Sequence, residues 1–237
     1  DNACHLPTPS PTRTFSPTDT PTSVPTATVS PTQTPTITPS PTSFLNPYAH
    51  YTYESWDSAS SIWYDTSGND FHSNVATGTV SAVGAVASGD FAYLSGGTSD
   101  SICLSDSDII ASTFTICSVT KYTSTSNRER IIQGQDDNWL HGQWGGLAGV
   151  AHYQSWQTTS SASTVSDESE WLTFCGQNGG AGYFRANGVT VAQSTSGYGN
   201  ERLCVNTGAY SEVSDWAVAE IMTWDYALSL EEIQEVE

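Results

Sequence analysis

Residues 7–43 read PTPSPTRTFSPTDTPTSVPTATVSPTQTPTITPSPTS, and they limit this chain more than any other stretch. Every proline of the chain except Pro47 falls there. From Thr8 to Thr42 each even-numbered position is Ser or Thr, apart from Val24, and every proline takes an odd number. A period of two is that of an extended strand, whose side chains alternate between faces. Proline fixes φ, removes an N–H and pushes the preceding residue to extended conformations, so a helix is excluded. Polyproline II and a β-like chain both remain open. In the β-like form the hydroxyls share one face. The even-numbered residues keep their N–H donors, so one edge can still pair.

Composition alone reads this stretch as a disordered, O-glycosylated, mucin-like linker. The acceptor candidates are Thr8, Thr12, Thr18, Thr22, Thr26, Thr32, Thr36 and Thr42. The chain has no Asn-x-Ser/Thr sequon, so any sugar is expected to be O-linked. Such a segment buries too little apolar surface to order itself. As an ordered arm it would need a neighbouring subunit, a glycan coat, or both. Extended, it would reach on the order of 110 Å, beyond the width of one domain. Phe15 and Ile37 are then its expected apolar anchors.

The chain divides into this arm, residues 1–47, and a proline-free region, 48–237, of the size of one β domain. The second part is rich in Thr, Val, Tyr, Trp and Gly, which suits strands. The net charge is −19 and Lys plus Arg number only 6. That excludes a nucleic-acid footprint and disfavours an anionic membrane surface. No apolar run is long enough to span a bilayer. Starting at Asp1 rather than Met, the chain reads as a mature form after removal of a signal. There are 5 cysteines, with no zinc-like spacing. Together with a mucin-like arm they point to an oxidising, extracellular or cell-surface location. Cys103, Cys117, Cys175 and Cys204 allow two bridges in three connectivities, leaving Cys4 free or bonded to another chain.

Strong turn chemistry at Asp65–Asp70 is followed by apolar alternation at Val80, Val83 and Val86. Strands are expected at Ser112–Tyr122, from Ile131, within Trp139–Tyr153, at Trp171–Cys175, Arg202–Val205 and Trp216–Trp224. Asn187-Gly188 should turn a hairpin within 182–192. Ser229 and Glu232 form a capping box for a short final helix. Thr158–Ser169 is a polar loop. Many short strands with regular turns predict an all-β, two-sheet antiparallel jelly-roll sandwich.

In this order the features resemble the laminin-G-like jelly rolls of the concanavalin A-like lectin/glucanase superfamily. The matching stretches are Asp65-Thr66-Ser67-Gly68-Asn69, Phe114-Thr115-Ile116, Trp171-Leu172-Thr173-Phe174, Asn187-Gly188-Val189, Ala219-Glu220-Ile221 and Trp224–Ile233. They span about residues 50–237 and none of the arm. The resemblance implies two antiparallel sheets packed face to face. Its members include sugar binders, adhesive modules and passive structural domains, so the fold leaves function open.

Glucanases of that superfamily carry acidic residues alternating along one strand as Glu-x-Asp-x-Glu. This sequence has no such string, and Asp167, Glu168 and Glu170 sit in the polar loop. The chain is therefore read as not an enzyme. Trp139, His141, Trp144, His152, Tyr153 and Trp156 cluster in sequence. Trp139, Trp144 and Trp156 are candidate platforms for sugar rings, with Asp136, Asp137 and Asn138 as hydrogen-bonding partners. The alternative is that alternating tryptophans fill a sandwich core. No cofactor is expected. Calcium, which takes oxygen ligands, could use Asp136/Asp137 or Asp65/Asp70, although turn chemistry explains both groups as well. The leading expectation is a secreted structural subunit whose arm runs along copies of itself in a helical filament. The alternative is a lectin-like or adhesive module on a glycosylated stalk.

Overall fold

The computed structural model describes residues 45–85, 91–160, 163–165 and 170–237. The eight threonine acceptors, Phe15, Ile37 and Cys4 lie outside them, as do Val86, Asp167 and Glu168. In chain order the strands are β1 (Ala49–Thr52), β2 (Trp56–Asp57), β3 (Ile62–Trp63), β4 (Ser81–Val83), β5 (Tyr93–Gly96) and β6 (Ile102–Cys103). Then come β7 (Thr115–Tyr122), β8 (Ile132–Gly134), β9 (Trp139–Trp144), β10 (Leu147–Tyr153) and β11 (Leu172–Gln177). Last are β12 (Tyr183–Ala186), β13 (Val189–Gln193), β14 (Leu203–Val205), β15 (Trp216–Trp224) and the helix α1 (Leu230–Val236).

The fold is an antiparallel β-sandwich, as the alternation predicts. The larger, eight-stranded sheet runs β13-β12-β11-β7-β15-β5-β4, and β1 also pairs with β15. The five-stranded sheet runs β10-β9-β8-β14-β6, and β2 and β3 form a small hairpin. Between the two large sheets lie Trp63, Trp139, Trp216, Phe114, Phe174, Phe184, Tyr51 and Tyr153. Each such ring removed from water contributes roughly 1.5–3 kcal/mol.

Strand β7 shows how pattern becomes layer. Ile116 and Tyr122 point into this core, while Cys117 joins a second apolar cluster. That cluster holds Cys175, Trp224, Leu228 and Ile233, and so lies beneath α1. The helix begins as expected: Ser229 Oγ accepts from the Glu232 N–H at 3.2 Å, and the Glu232 carboxylate accepts from the Ser229 N–H at 2.7 Å. Asn187 (φ 48°) and Gly188 (φ 78°) are both left-handed, the geometry of a tight two-residue hairpin. They join β12 to β13 with Ala186 opposite Val189.

Of the three connectivities the structure takes Cys103–Cys204 and Cys117–Cys175. In each pair the two cysteines face one another across neighbouring antiparallel strands. Among the described residues no helix is long and apolar enough to cross a membrane.

Candidate functional site

The hairpin of β9 and β10 carries the aromatic cluster. Its turn uses Gly145 (φ 59°) and Gly146 (φ 79°), and opposite partners run from Leu147↔Trp144 to Tyr153↔Trp139. One extra residue, Gly149, bulges out between Ala148 and Val150. Its φ is +75°, and a Cβ there would meet Thr164 Oγ1 at 1.9 Å, so only glycine fits.

This register splits the six aromatic and histidine side chains into two sets. Trp139, His141 and Tyr153 face inward and are fully buried. Trp139 stacks on Tyr153 with centroids 4.3 Å apart and an interplanar angle of 14°. Its indole N–H donates to the Tyr198 carbonyl at 3.1 Å. Trp139 is thus a core residue, and its expected contact with sugar is corrected: the inward face of β9 meets the other sheet and leaves no room for a ligand. His141 bridges the Tyr153 hydroxyl (2.7 Å) and the Phe174 carbonyl (3.1 Å). Burial lowers its pKa to about 3, so it is neutral in the core.

Trp144, His152 and Trp156 form the other set, on the outer face of the five-stranded sheet. The chain turns at Gln154 (φ 58°), and His152 and Trp156 form a β-bridge. The indoles of Trp144 and Trp156 lie 5.2 Å apart at 55°, and His152 stands edge-on to Trp156 at 5.0 Å. His152 Nδ1 donates to the Asn138 carbonyl at 2.8 Å, which fixes the ring.

A second wall comes from distant parts of the chain. The Arg130 guanidinium is paired with the Glu212 carboxylate and lies 4.7 Å over the ring of Tyr210. Tyr210 is 61% exposed. Tyr210 (φ 60°) and Ser211 (φ 61°) are consecutive left-handed residues without the freedom of glycine. Such conformations cost on the order of 1–3 kcal/mol each and persist only where the surroundings hold them. Between the walls is a cleft of about 300 Å³, with Leu140 and Asn138 at its floor and side. Two donors among its lining residues, Trp144 Nε1 and Arg130 Nη1, are buried without a hydrogen-bond partner. Arg130 is only 5% exposed. A buried donor left unpaired costs about 1–3 kcal/mol, and native structures rarely carry one without a reason.

The single cation of the cleft is balanced by Glu212. Nearby Glu129 is pushed above the usual carboxylate range by burial and then by the charge of Glu212. The cleft therefore offers aromatic faces and neutral-ligand donors rather than a seat for an anion. Arg130, Tyr210 and Glu212 were not legible as site residues. They lie far from the tryptophans in sequence and belong to no motif.

The other sequence candidates have local partners. Asp136 pairs with Arg202, whose Nε donates to its carboxylate at 2.8 Å, and Asp137 accepts from Gln154 Nε2 at 2.7 Å. Burial alone would raise the Asp65 pKa, but the backbone N–H groups of Ser67, His50 and Phe71 and the Ser67 hydroxyl outweigh it, holding the carboxyl below its usual range. Asp65 thus organises the 65–71 turn, while Asp70 lies 3.8 Å from His72. Among the described residues no group of three or more His, Cys, Asp or Glu side chains is placed to hold a metal ion.

Fold and cleft together define an antiparallel β-sandwich with an aromatic-walled cleft on its outer surface. Domain 4 of an extracellular arabinanase of Geobacillus stearothermophilus, solved with arabinotriose, is similar in structure. Its TM-score is 0.53 at 16% identity, covering 81% of this chain and 98% of that domain. The binding domain of botulinum neurotoxin DC, solved with SialylT, has a TM-score of 0.53 at 11% identity over 81% of this chain and 50% of that one. Trypanosoma rangeli sialidase, solved with the inhibitor DANA, has a TM-score of 0.52 at 11% identity, and only 32% of its chain is matched. At these identities the likeness shows the fold alone. No protein-family model matches the sequence, and a search of curated proteins returns no significant match.

Proposed function

We propose that residues from about 48 onward form a non-catalytic saccharide-binding module of the laminin-G-like kind, carried extracellularly on a Pro/Thr-rich, O-glycosylated stalk. The observation that carries this reading is one juxtaposition. Trp144 and Trp156 face one cleft whose walls also hold two buried, unpartnered donors, Trp144 Nε1 and Arg130 Nη1. Sugar rings offer C–H faces for the indoles and hydroxyls for the polar side chains that line the cleft. Two structures of similar fold were solved with arabinotriose and with SialylT, which supports the reading without naming the sugar here. Binding rather than hydrolysis is proposed because the sequence has no alternating Glu-x-Asp-x-Glu string. A glycan array with the full chain tests it. A defined class of neutral glycans should bind and be lost in Trp144→Ala and Trp156→Ala. Binding that survives both substitutions, or no binding at all, would overturn it.

The other reading is a structural subunit of an extracellular filament, assembled through the arm on copies of the same chain. It rests on the period-two pattern of residues 7–43 alone. Electron microscopy of the full chain and of a 48–237 variant tests it. Filaments from the full chain only would support it, and polymers of the truncated chain would reject the arm as the cause.

A further inference from the structure

A different surface holds the only lysine of the chain, Lys121. It projects from β7 on the outer face of the eight-stranded sheet, opposite to the face bearing Trp144. There Trp171 meets Phe91 edge-on (5.5 Å, 71°) and Tyr93 likewise (5.2 Å, 65°). Lys121 Nζ stands 5.9 Å from the centroid of the Trp171 ring. These four side chains, with Val83 and Thr123, line a cleft of about 370 Å³. Phe91 is 46% exposed.

The electrostatics of this cleft differ from those of every other cation in the described residues. Arg130, Arg185 and Arg202 each pair with a carboxylate, and Arg128 donates to the Gly146 carbonyl at 2.9 Å. Among the described residues Lys121 has neither a hydrogen-bond partner nor a carboxylate; its one contact of this kind is the indole face. Among the described residues no acidic side chain lines the cleft. In a chain of net charge −19, an ammonium with no carboxylate partner among the described residues, set beside three aromatic rings, is a local positive spot. Cation–π contact holds the ammonium in place while leaving its three N–H donors unused.

We propose that this cleft is a second binding site, specific for saccharides that carry a carboxylate. The carboxylate would pair with Lys121, and the C–H surface of the sugar would pack on Phe91 and Trp171. An acyl chain would need an enclosed apolar cavity. Here two hydroxyl-bearing residues, Tyr93 and Thr123, are among the lining and Phe91 is exposed, which suits a polyhydroxylated ring. The two clefts open on opposite faces, so one domain would join a neutral glycan to an acidic one.

The test is calorimetric titration of the full chain with trigalacturonate and sialyllactose, against the neutral counterparts galactotriose and lactose. At least one acidic probe should bind. Lys121→Gln should weaken it by about tenfold or more, as expected for a charge-assisted pair, and raised salt should weaken it in the wild type. Lys121→Arg should retain binding, Phe91→Ala should weaken it, and Trp144→Ala should leave it unchanged. Lys121 and Phe91 are both partly or well exposed, so an unchanged thermal midpoint accompanies each variant. No binding of either acidic probe overturns the proposal. So does equal affinity for acidic and neutral probes, or loss with Trp144→Ala but not with Lys121→Gln.

Discussion

Arg185 on β12 clasps the carboxylate of Glu237, just past α1, through three hydrogen bonds. Its Nε lies 3.0 and 2.9 Å from the two oxygens, and its Nη2 lies 2.8 Å from one of them. The two side chains are only 6% and 8% exposed. The same guanidinium donates to the Gly188 carbonyl at 2.6 Å and to Thr190 Oγ1 at 3.0 Å. One side chain thus ties the end of the helix to the turn of the β12–β13 hairpin.

Removing Arg185 leaves a buried carboxylate unpaired, which costs more than the contact itself contributes. Arg185→Ala is expected to lower stability by about 3 kcal/mol, read from the urea midpoint. A double change, Arg185→Met with Glu237→Gln, should recover part of it, because no charge is then stranded.

Trp139 and Trp144 should separate cleanly by substitution. Trp139→Ala opens a hole beside Phe114 and Tyr153 and should cost about 3–5 kcal/mol. Trp144→Ala acts on a half-buried ring at the cleft. It should cost far less stability and abolish binding of neutral glycans. Thermal melts and binding measured on the same two proteins check this.

The buried His141 gives stability a pH dependence of definite sign. Its pKa is lowered from 6.5 to about 3 by burial. The unfolded chain therefore takes up a proton below 6.5 while the folded one does not. Stability is full above 6.5 and falls as pH drops towards 3, by at most about 1.4 kcal/mol per pH unit. Glu201, raised by burial, pulls the other way: its contribution is present below 4.5 and declines as pH rises above it. The two windows overlap above pH 4.5, so the histidine's rising slope is isolated as the difference between the wild type and His141→Gln in denaturant midpoints from pH 5 to pH 7. His141→Gln should flatten that slope, and an unchanged slope would rule His141 out.

The disulfides close loops of 101 and 58 residues. In the chain-entropy account each contributes about 4–5 kcal/mol through the unfolded state. Reduction should therefore lower the thermal midpoint markedly. Cys103→Ser with Cys204→Ser should cost slightly more than the Cys117/Cys175 pair, as measured by calorimetry under non-reducing conditions.

Much of the fold was written locally. The capping box of Ser229 and Glu232 and the left-handed pair Asn187-Gly188 need only their neighbours in sequence and form as expected, and the strand expected at Ser112–Tyr122 forms over Thr115–Tyr122. Of the candidate site, the cluster of tryptophans was legible but its division was not. Trp139 and Trp144 fall on opposite faces of one strand, and only the packing of β9 against the second sheet decides which face is core. Trp216 and Trp224 make the same point more sharply. Strict alternation over eight residues would put both on one face. The register shifts between Val218 and Glu220, so Trp216 enters the inter-sheet core while Trp224 lies beneath α1. A bulge reverses every later side chain, and its position depends on the partner strand rather than on local propensity. The wall of Arg130, Tyr210 and Glu212, and the pairing of the cysteines, were decided in the same way. They are contacts between residues remote in the chain, and they exist only once the two sheets have met.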